Sequence, residues 1–418
     1  MKNANLRNRT RRWNPALGLG ILIVLTVSPL VLGQNAAQQQ PVVQAPNAAQ
    51  IVSPNMPMIN PAVQQAAPLR QQQLQVAPLV RGGRQIAPPI SSSVQPVEAR
   101  ERRQPPEPRP INPDEPRIQI AILLDTSGSM SGLIDQARAH LWSIVNEFEG
   151  VTRNGVRPRL EVALYEYGKS SLPAEEGYIQ MLVPLTEDLD LISEELFILQ
   201  TNGGSEYCGQ VIARSIEELG WDEAEDTLKT IFIAGNEPFT QGPIDYKDAC
   251  RAAADSNVTV STIHCGDHNV GVDTQWADGA RLADGSYVSI DQNQSVAGIE
   301  APQDQELAEL SAQINSTYVA YGSLSSQALS RGRQSAQDSN AAALAPSVAA
   351  SRAVTKGSSL YRNSHWDLID AMKAEDFDLA EVPEEELPEE MRELSEEERV
   401  TFLEEKAAER IEIQERIQ

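Results

Sequence analysis

The chain has 418 residues, of which 41% are hydrophobic and only 5% aromatic, and its formal net charge is −25. Such an excess of acid excludes a nucleic-acid binder, because phosphate contacts need clusters of Lys and Arg. The charge is uneven: from residue 366 onward 20 acidic residues stand against 6 basic ones, whereas the first 116 residues hold 12 basic and 5 acidic ones.

Residues 1–33 read as a secretory signal peptide. Lys2, Arg7, Arg9, Arg11 and Arg12 precede an almost wholly apolar run at 16–32, and Val31 and Gly33 suit a cleavage site. The alternative is an uncleaved anchor, which would be the chain's sole link to a membrane. Residues 34–116 are rich in Gln, Pro, Ala and Val, with triple glutamines at 38–40 and 71–73. A segment of this kind buries too little apolar surface to offset its ordering entropy, so a disordered Pro/Gln-rich tether is expected.

Residues 117–322 form the expected globular unit. An apolar run at 118–124 reads as a buried strand, and Leu133, Ala137, Leu141, Ile144, Val145 and Phe148 follow at helical spacing. Strands are then expected at 160–165, 179–185 (a short edge strand), 228–234, 258–264 and 287–290. Helices are expected at 189–199, around Val211–Leu219, at 246–254 and, closing the unit, at 303–321. This alternation predicts an α/β fold with a doubly wound, mostly parallel sheet and right-handed crossovers.

Residues 323–359 are rich in Ser, Ala and Gln and read as a linker. Residues 360–418 read as an acidic helical tail. Ser364 with Asp367 and Ser395 with Glu398 have the spacing of capping boxes. Val400, Leu403, Ala407 and Ile411 would line one helix face, which needs cover from this domain or from another chain.

The chemistry concentrates where the first strand ends. Asp125, Ser127 and Ser129 follow the apolar run within the segment DTSGSMSG. One carboxylate and two hydroxyls on a tight loop make an oxygen-only site suited to Mg²⁺ or Mn²⁺. The competing structural role for the two serines is to cap the helix that starts near Ser131. The open α/β sheet would place this loop at its ligand-binding edge.

The segment resembles the first loop of a von Willebrand factor type A domain, whose pattern Asp-x-Ser-x-Ser is met by Asp125, Ser127 and Ser129. The resemblance extends to a Gly-Gly-Thr loop leading into a helix, here TNGGSEYCGQVI with Ser205 at the threonine position. It extends again to a strand ending in Thr-Asp-Gly, here IFIAGNEPF. That alignment puts Gly235 where the family has an aspartate, and makes Asn236 and Glu237 the nearby substitutes.

The resemblance covers about residues 117–322. It implies a metal-ion-dependent adhesion site built from Asp125, Ser127, Ser129, Ser205 and Glu237, weakened by the loss of a carboxylate at Gly235. It also implies a partner protein that presents a carboxylate to the ion. The function so implied is cation-dependent adhesion or assembly by an exported, periplasmic, envelope or extracellular protein. The alternative is an envelope scaffold with a degenerate site that binds partners through its acidic C-terminal helix.

Other residues carry weaker signals. Cys208, Cys250 and Cys265 include no CxxC pair; they can be free and buried, or two of them can be oxidised in an exported protein, with Cys208 and Cys265 near the same sheet edge. His264, Cys265, Asp267 and His268 could form a second metal cluster, but His264 reads more simply as a packed residue. There is no Gly-x-Ser-x-Gly elbow, since Met130 stands where the serine is needed, and no Walker A, HExxH or Rossmann glycine fingerprint. A non-enzymatic protein is expected.

Overall fold

The computed structural model describes residues 115–418 apart from 225, 292–300 and 375. The expected signal peptide and all but the last two residues of the expected tether lie outside the described residues. Among the described residues no helix is long and apolar enough to cross a membrane.

Six strands make one sheet: β1 (Arg117–Asp125), β2 (Arg159–Tyr167), β3 (Ile179–Thr186), β4 (Leu228–Gly235), β5 (Thr259–Cys265) and β6 (Tyr287–Ile290), in the order β3-β2-β1-β4-β5-β6. β1 lies between β2 and β4 and runs parallel to both, with Ile118 opposite Leu160 on one side and Leu228 on the other. β5 and β6 continue the sheet in parallel, and β3 alone is antiparallel. Pro184 explains that edge position: proline cannot donate to a ladder and is tolerated only where one side is unpaired. The expected α/β fold and the short edge strand are therefore found.

Successive side chains of a strand point to opposite faces, and β1 divides accordingly. Ile118, Ile120 and Leu124 join Leu160, Val162 and Leu164 in one core, while Ala121 and Leu123 join Ala163, Tyr165 and Tyr167 in the other. The first core is covered by α1 (Ser131–Asn146) through Leu133, Trp142 and Val145, and by α2 (Leu189–Ile198) through Ile192 and Leu196. The second is covered by α3 (Cys208–Glu218) and α4 (Tyr246–Asp255) through Val211, Ile212, Ala249 and Ala253. Two short helices, α5 (His268–Asp273) and α6 (Trp276–Leu282), follow β5, and Trp276 seals that face. The closing helix α7 spans Asp304–Asn315 and stops short of the expected 321, because the chain turns extended and Ala320 bridges to Asp367.

The expected linker is a correction. Residues 323–359 hold two helices, α8 (Leu324–Leu344) and α9 (Pro346–Gly357). Ala341, Val348, Leu360 and Tyr361 enter the first core. Ala and Gln are good helix formers, and proline suits a first helical turn, so a composition that reads as a spacer is also a competent helix. What anchors these helices is polar. Arg352, 1% exposed, donates to Asp190 at 2.7 Å and to Asp338 at 2.5 Å, and lies over the Trp142 ring. Lys356 is fully buried and donates to Asn315, Ser311 and Asp338. A hydropathy pattern scores such residues as solvent-facing.

The tail is likewise part of this unit. Helix α10 (Leu368–Ala371) is capped by Asp367, whose side chain accepts from the Asp370 amide; the expected Ser364 cap is not the one used. After α11 (Glu389–Arg392), the last helix α12 (Glu396–Ile417) starts at the expected Ser395/Glu398 capping box. Its inward face is Leu403, Ala407, Arg410, Ile413 and Ile417, whereas Val400 and Ile411 stay exposed. Arg410 donates to both oxygens of Asp367, at 2.8 and 3.1 Å, and stacks over Tyr318 at 4.0 Å. The stem of a buried arginine packs as an apolar group does, so the true face runs through a charged residue. The apolar face of α12 is thus taken by its own domain, and its acidic face is left outward.

Candidate metal centre

The strand order reverses between β1 and β4: from β1 the chain proceeds outward to β2 and β3, and from β4 outward to β5 and β6. Open α/β sheets leave a crevice at such a switch point, beyond the carboxyl ends of the strands. Asp125 ends β1 and Gly235 ends β4, so the two loops singled out in the sequence flank that crevice.

Asp125 is 0% exposed. The Ser127 amide donates to its Oδ1 at 2.7 Å, but its buried Oδ2 has no hydrogen-bond partner. Burial pushes the carboxyl up to about 6, against the pull of the Ser127 amide and hydroxyl and of the Asn236 amide. Ser127 is buried and Ser129 exposed, with their hydroxyl oxygens 3.4 Å apart. Asn236 donates to the Ser129 hydroxyl at 3.1 Å across the crevice. Neither serine caps α1: its N-cap residue is Met130, and no side chain accepts from the first turn. The structural role considered for these hydroxyls is not the one they play.

The glycine-rich loop before α3 is laced to its neighbours by backbone bonds. The Asn202 amide donates to Thr126 at 3.1 Å, and the Ser170 amide donates to Gly203. Ser205 follows on this loop and is half-buried. Glu237 sits at the rim, half-buried, where its carboxylate accepts from Gln241 at 3.2 Å. Its charge reaches both Asp125 and Glu206.

Glu206 was missed by the sequence reading, although it adjoins Ser205. It is 6% exposed, and burial followed by the charges of Asp125 and Glu237 pushes it up to about 7. The signal available was a carboxylate directly after the hydroxyl position of the second loop.

Gly235 is sterically required. A methyl group there would come within 2.6 Å of the Tyr167 hydroxyl and 3.0 Å of Asp125 Oδ2. The Tyr167 hydroxyl itself donates to the Ala234 carbonyl at 3.0 Å.

The donors suit a hard divalent cation: a buried carboxylate oxygen without a partner, with the Ser127 and Ser129 hydroxyls beside it. Among the described residues no three His, Cys, Asp or Glu side chains gather tightly enough to hold a metal by themselves, so hydroxyls would have to supply part of the shell.

The weaker signals resolve as packing. His264 is 2% exposed and stacks near Trp276, while His268 is exposed beside Tyr287, so the two do not form a shared cluster. Cys208, Cys250 and Cys265 are all buried and free, so no pair is joined.

No protein-family profile and no curated relative matches the chain. Among solved structures it is similar to the SpRpn10 VWA domain, at 17% identity over 42% of this chain and 88% of that one, with a TM-score of 0.32. It is similar to BatB from Bacteroides thetaiotaomicron, at 15% identity over 53% of this chain and 99% of that one, TM-score 0.32. It is also similar to an aerotolerance-related membrane protein from Bacteroides fragilis, at 14% identity over 42% of this chain and 92% of that one, TM-score 0.30. The fold stands on the sheet itself: a six-stranded, mostly parallel α/β sheet whose order reverses between β1 and β4, where the three loops singled out in the sequence meet.

Proposed function

We propose that this chain is a non-enzymatic, exported binding module whose protein partner is engaged through a divalent cation at the β1–β4 crevice. One observation carries the reading: Asp125 is wholly buried, with an unpartnered oxygen, beneath two serine hydroxyls that cap nothing. A buried carboxylate without a cation is costly, so a site that keeps one is suited to receiving a positive charge. Asp125, Ser127 and Ser129 would hold Mg²⁺ or Mn²⁺, with Ser205 and Glu237 on the adjoining loops. When bound, the ion would offer an open coordination position to a carboxylate of the partner. The signal peptide expected from the sequence at residues 1–33 would accord with a role outside the cytoplasm, where adhesion and envelope assembly occur.

Calorimetric titration of Mn²⁺ and Mg²⁺ into the full chain, beside Asp125→Ala, tests the reading. Saturable binding in the native chain and its loss in the variant is the expected result. No heat at millimolar cation would overturn it.

A further inference from the structure

The aspartate that the resemblance implies at the end of β4 is absent, and the strand has no room for it. Any side chain on Gly235 would meet the Tyr167 hydroxyl. Yet a second carboxylate stands at the same crevice, brought by a different element. Glu206 lies at the end of the glycine-rich loop, just before α3, and is 6% exposed.

Its approach to Asp125 is marked by Gly168, which directly follows β2 and has φ +84°. A methyl group on Gly168 would lie 2.9 Å from Asp125 Oδ1 and 2.9 Å from Glu206 Cγ. The two acidic side chains therefore converge on one point, and the missing side chain of Gly168 keeps the gap open. The Ser127 hydroxyl faces both carboxylates.

No basic group balances them. Lys169, next in the chain, pairs with Glu166 instead, at 3.2 Å. The largest charges acting on Glu206 are negative, those of Asp125 and Glu237, and among the described residues no ion pair to Glu206 or Asp125 is found. Asp125 Oδ2 remains without a partner. Asp125 Oδ1 and the Glu206 side chain flank the gap at Gly168, while Oδ2 stays unpartnered on the Gly235 side, so two buried acidic side chains meet at one crevice whose charge an added cation would complete.

We infer that Glu206 supplies the second carboxylate of the cation site, in place of the aspartate missing from the end of β4. The inference rests on the cation-binding reading above and adds the residue that restores the lost charge. Glu237 is the competing donor, but its carboxylate is engaged with Gln241 at the rim.

The experiment is Mn²⁺ titration of the full chain, followed by calorimetry, for the native protein and for Asp125→Ala, Glu206→Gln, Glu206→Asp and Glu237→Gln. Glu206→Gln should weaken Mn²⁺ binding by about tenfold or more, with Glu206→Asp between it and the native chain and Glu237→Gln within about twofold of native. Unfolding midpoints in chelator check folding, and Glu206→Gln should be no less stable than native, since it removes a buried uncompensated charge. If the native chain binds and Asp125→Ala does not, but Glu206→Gln binds as well as native, the Glu206 assignment is wrong while the cation site stands. If Glu237→Gln loses affinity and Glu206→Gln does not, the β4 loop supplies the charge. If the native chain binds no Mn²⁺, both readings fall.

Discussion

The Tyr167 hydroxyl occupies the space into which a side chain on Gly235 would grow, and a methyl group there would come within 2.6 Å of it. Tyr167 is fully buried and its hydroxyl donates to Ala234, the residue just before that glycine. The aromatic residue that ends β2 thus dictates the residue that ends β4.

Gly235→Ala should therefore cost about 1–3 kcal/mol, the usual penalty of overpacking. Tyr167→Phe removes the offending oxygen and one hydrogen bond, so the double variant Tyr167→Phe/Gly235→Ala should be less destabilised than the two single effects added together. Denaturant unfolding of the four proteins measures this. Simple additivity would show that the two positions do not compete for space.

The stability of the cation-free protein should depend on pH through Asp125 and Glu206. Their folded values, about 6 and about 7, lie above the ordinary 3.8 and 4.5, so the folded state binds protons more tightly than the unfolded one. Their contribution is full below about pH 4 and is lost as pH rises through 6 to 7. Asp125 alone accounts for up to about 3 kcal/mol of this loss. In chelator the unfolding midpoint of the native chain should fall relative to Asp125→Asn between pH 5 and pH 8, and Mg²⁺ should restore it at pH 8 but not at pH 5. Parallel pH profiles for the two proteins would refute the assignment.

Residues 323–418 should behave as core and not as an appendage. Arg352→Ala leaves Asp190 and Asp338 facing a cavity, and loss of one partner from a buried ion pair costs about 3–5 kcal/mol. Truncation after residue 359 also strips Ile413 and Ile417 from the first core. The truncated chain should aggregate or bind a hydrophobic dye. A truncated chain with the native cooperative transition would contradict the packing.

The cap of the last helix offers a smaller, local test. Ser395 and Glu398 exchange hydrogen bonds in a capping box. Ser395→Ala should lower stability by about 1 kcal/mol and leave the cation affinity unchanged. A change in affinity would link α12 to the crevice.

Much of the sheet was legible because its signals are local. The apolar run of β1, the Asp-x-Ser-x-Ser loop and the Ser395/Glu398 cap are each contained within a few consecutive residues. The face of α12 was only partly legible. Leu403 and Ala407 were identified, but Val400 and Ile411 were taken for inward residues, because Arg410 could not be recognised as buried without its partner Asp367.

By itself, the sequence determined the alternation of strands and helices, the position of Asp125 at a strand end, and the hydroxyls that accompany it. These follow from side-chain periodicity and turn chemistry, which act along the chain. Only the tertiary structure decided that the Ser/Ala/Gln-rich segment is packed helix, that Gly235 is demanded by Tyr167, and that Glu206 converges with Asp125. Each of these is a contact between residues about 40 or more positions apart, set by which strands neighbour which and by ion pairs that hydropathy cannot foresee.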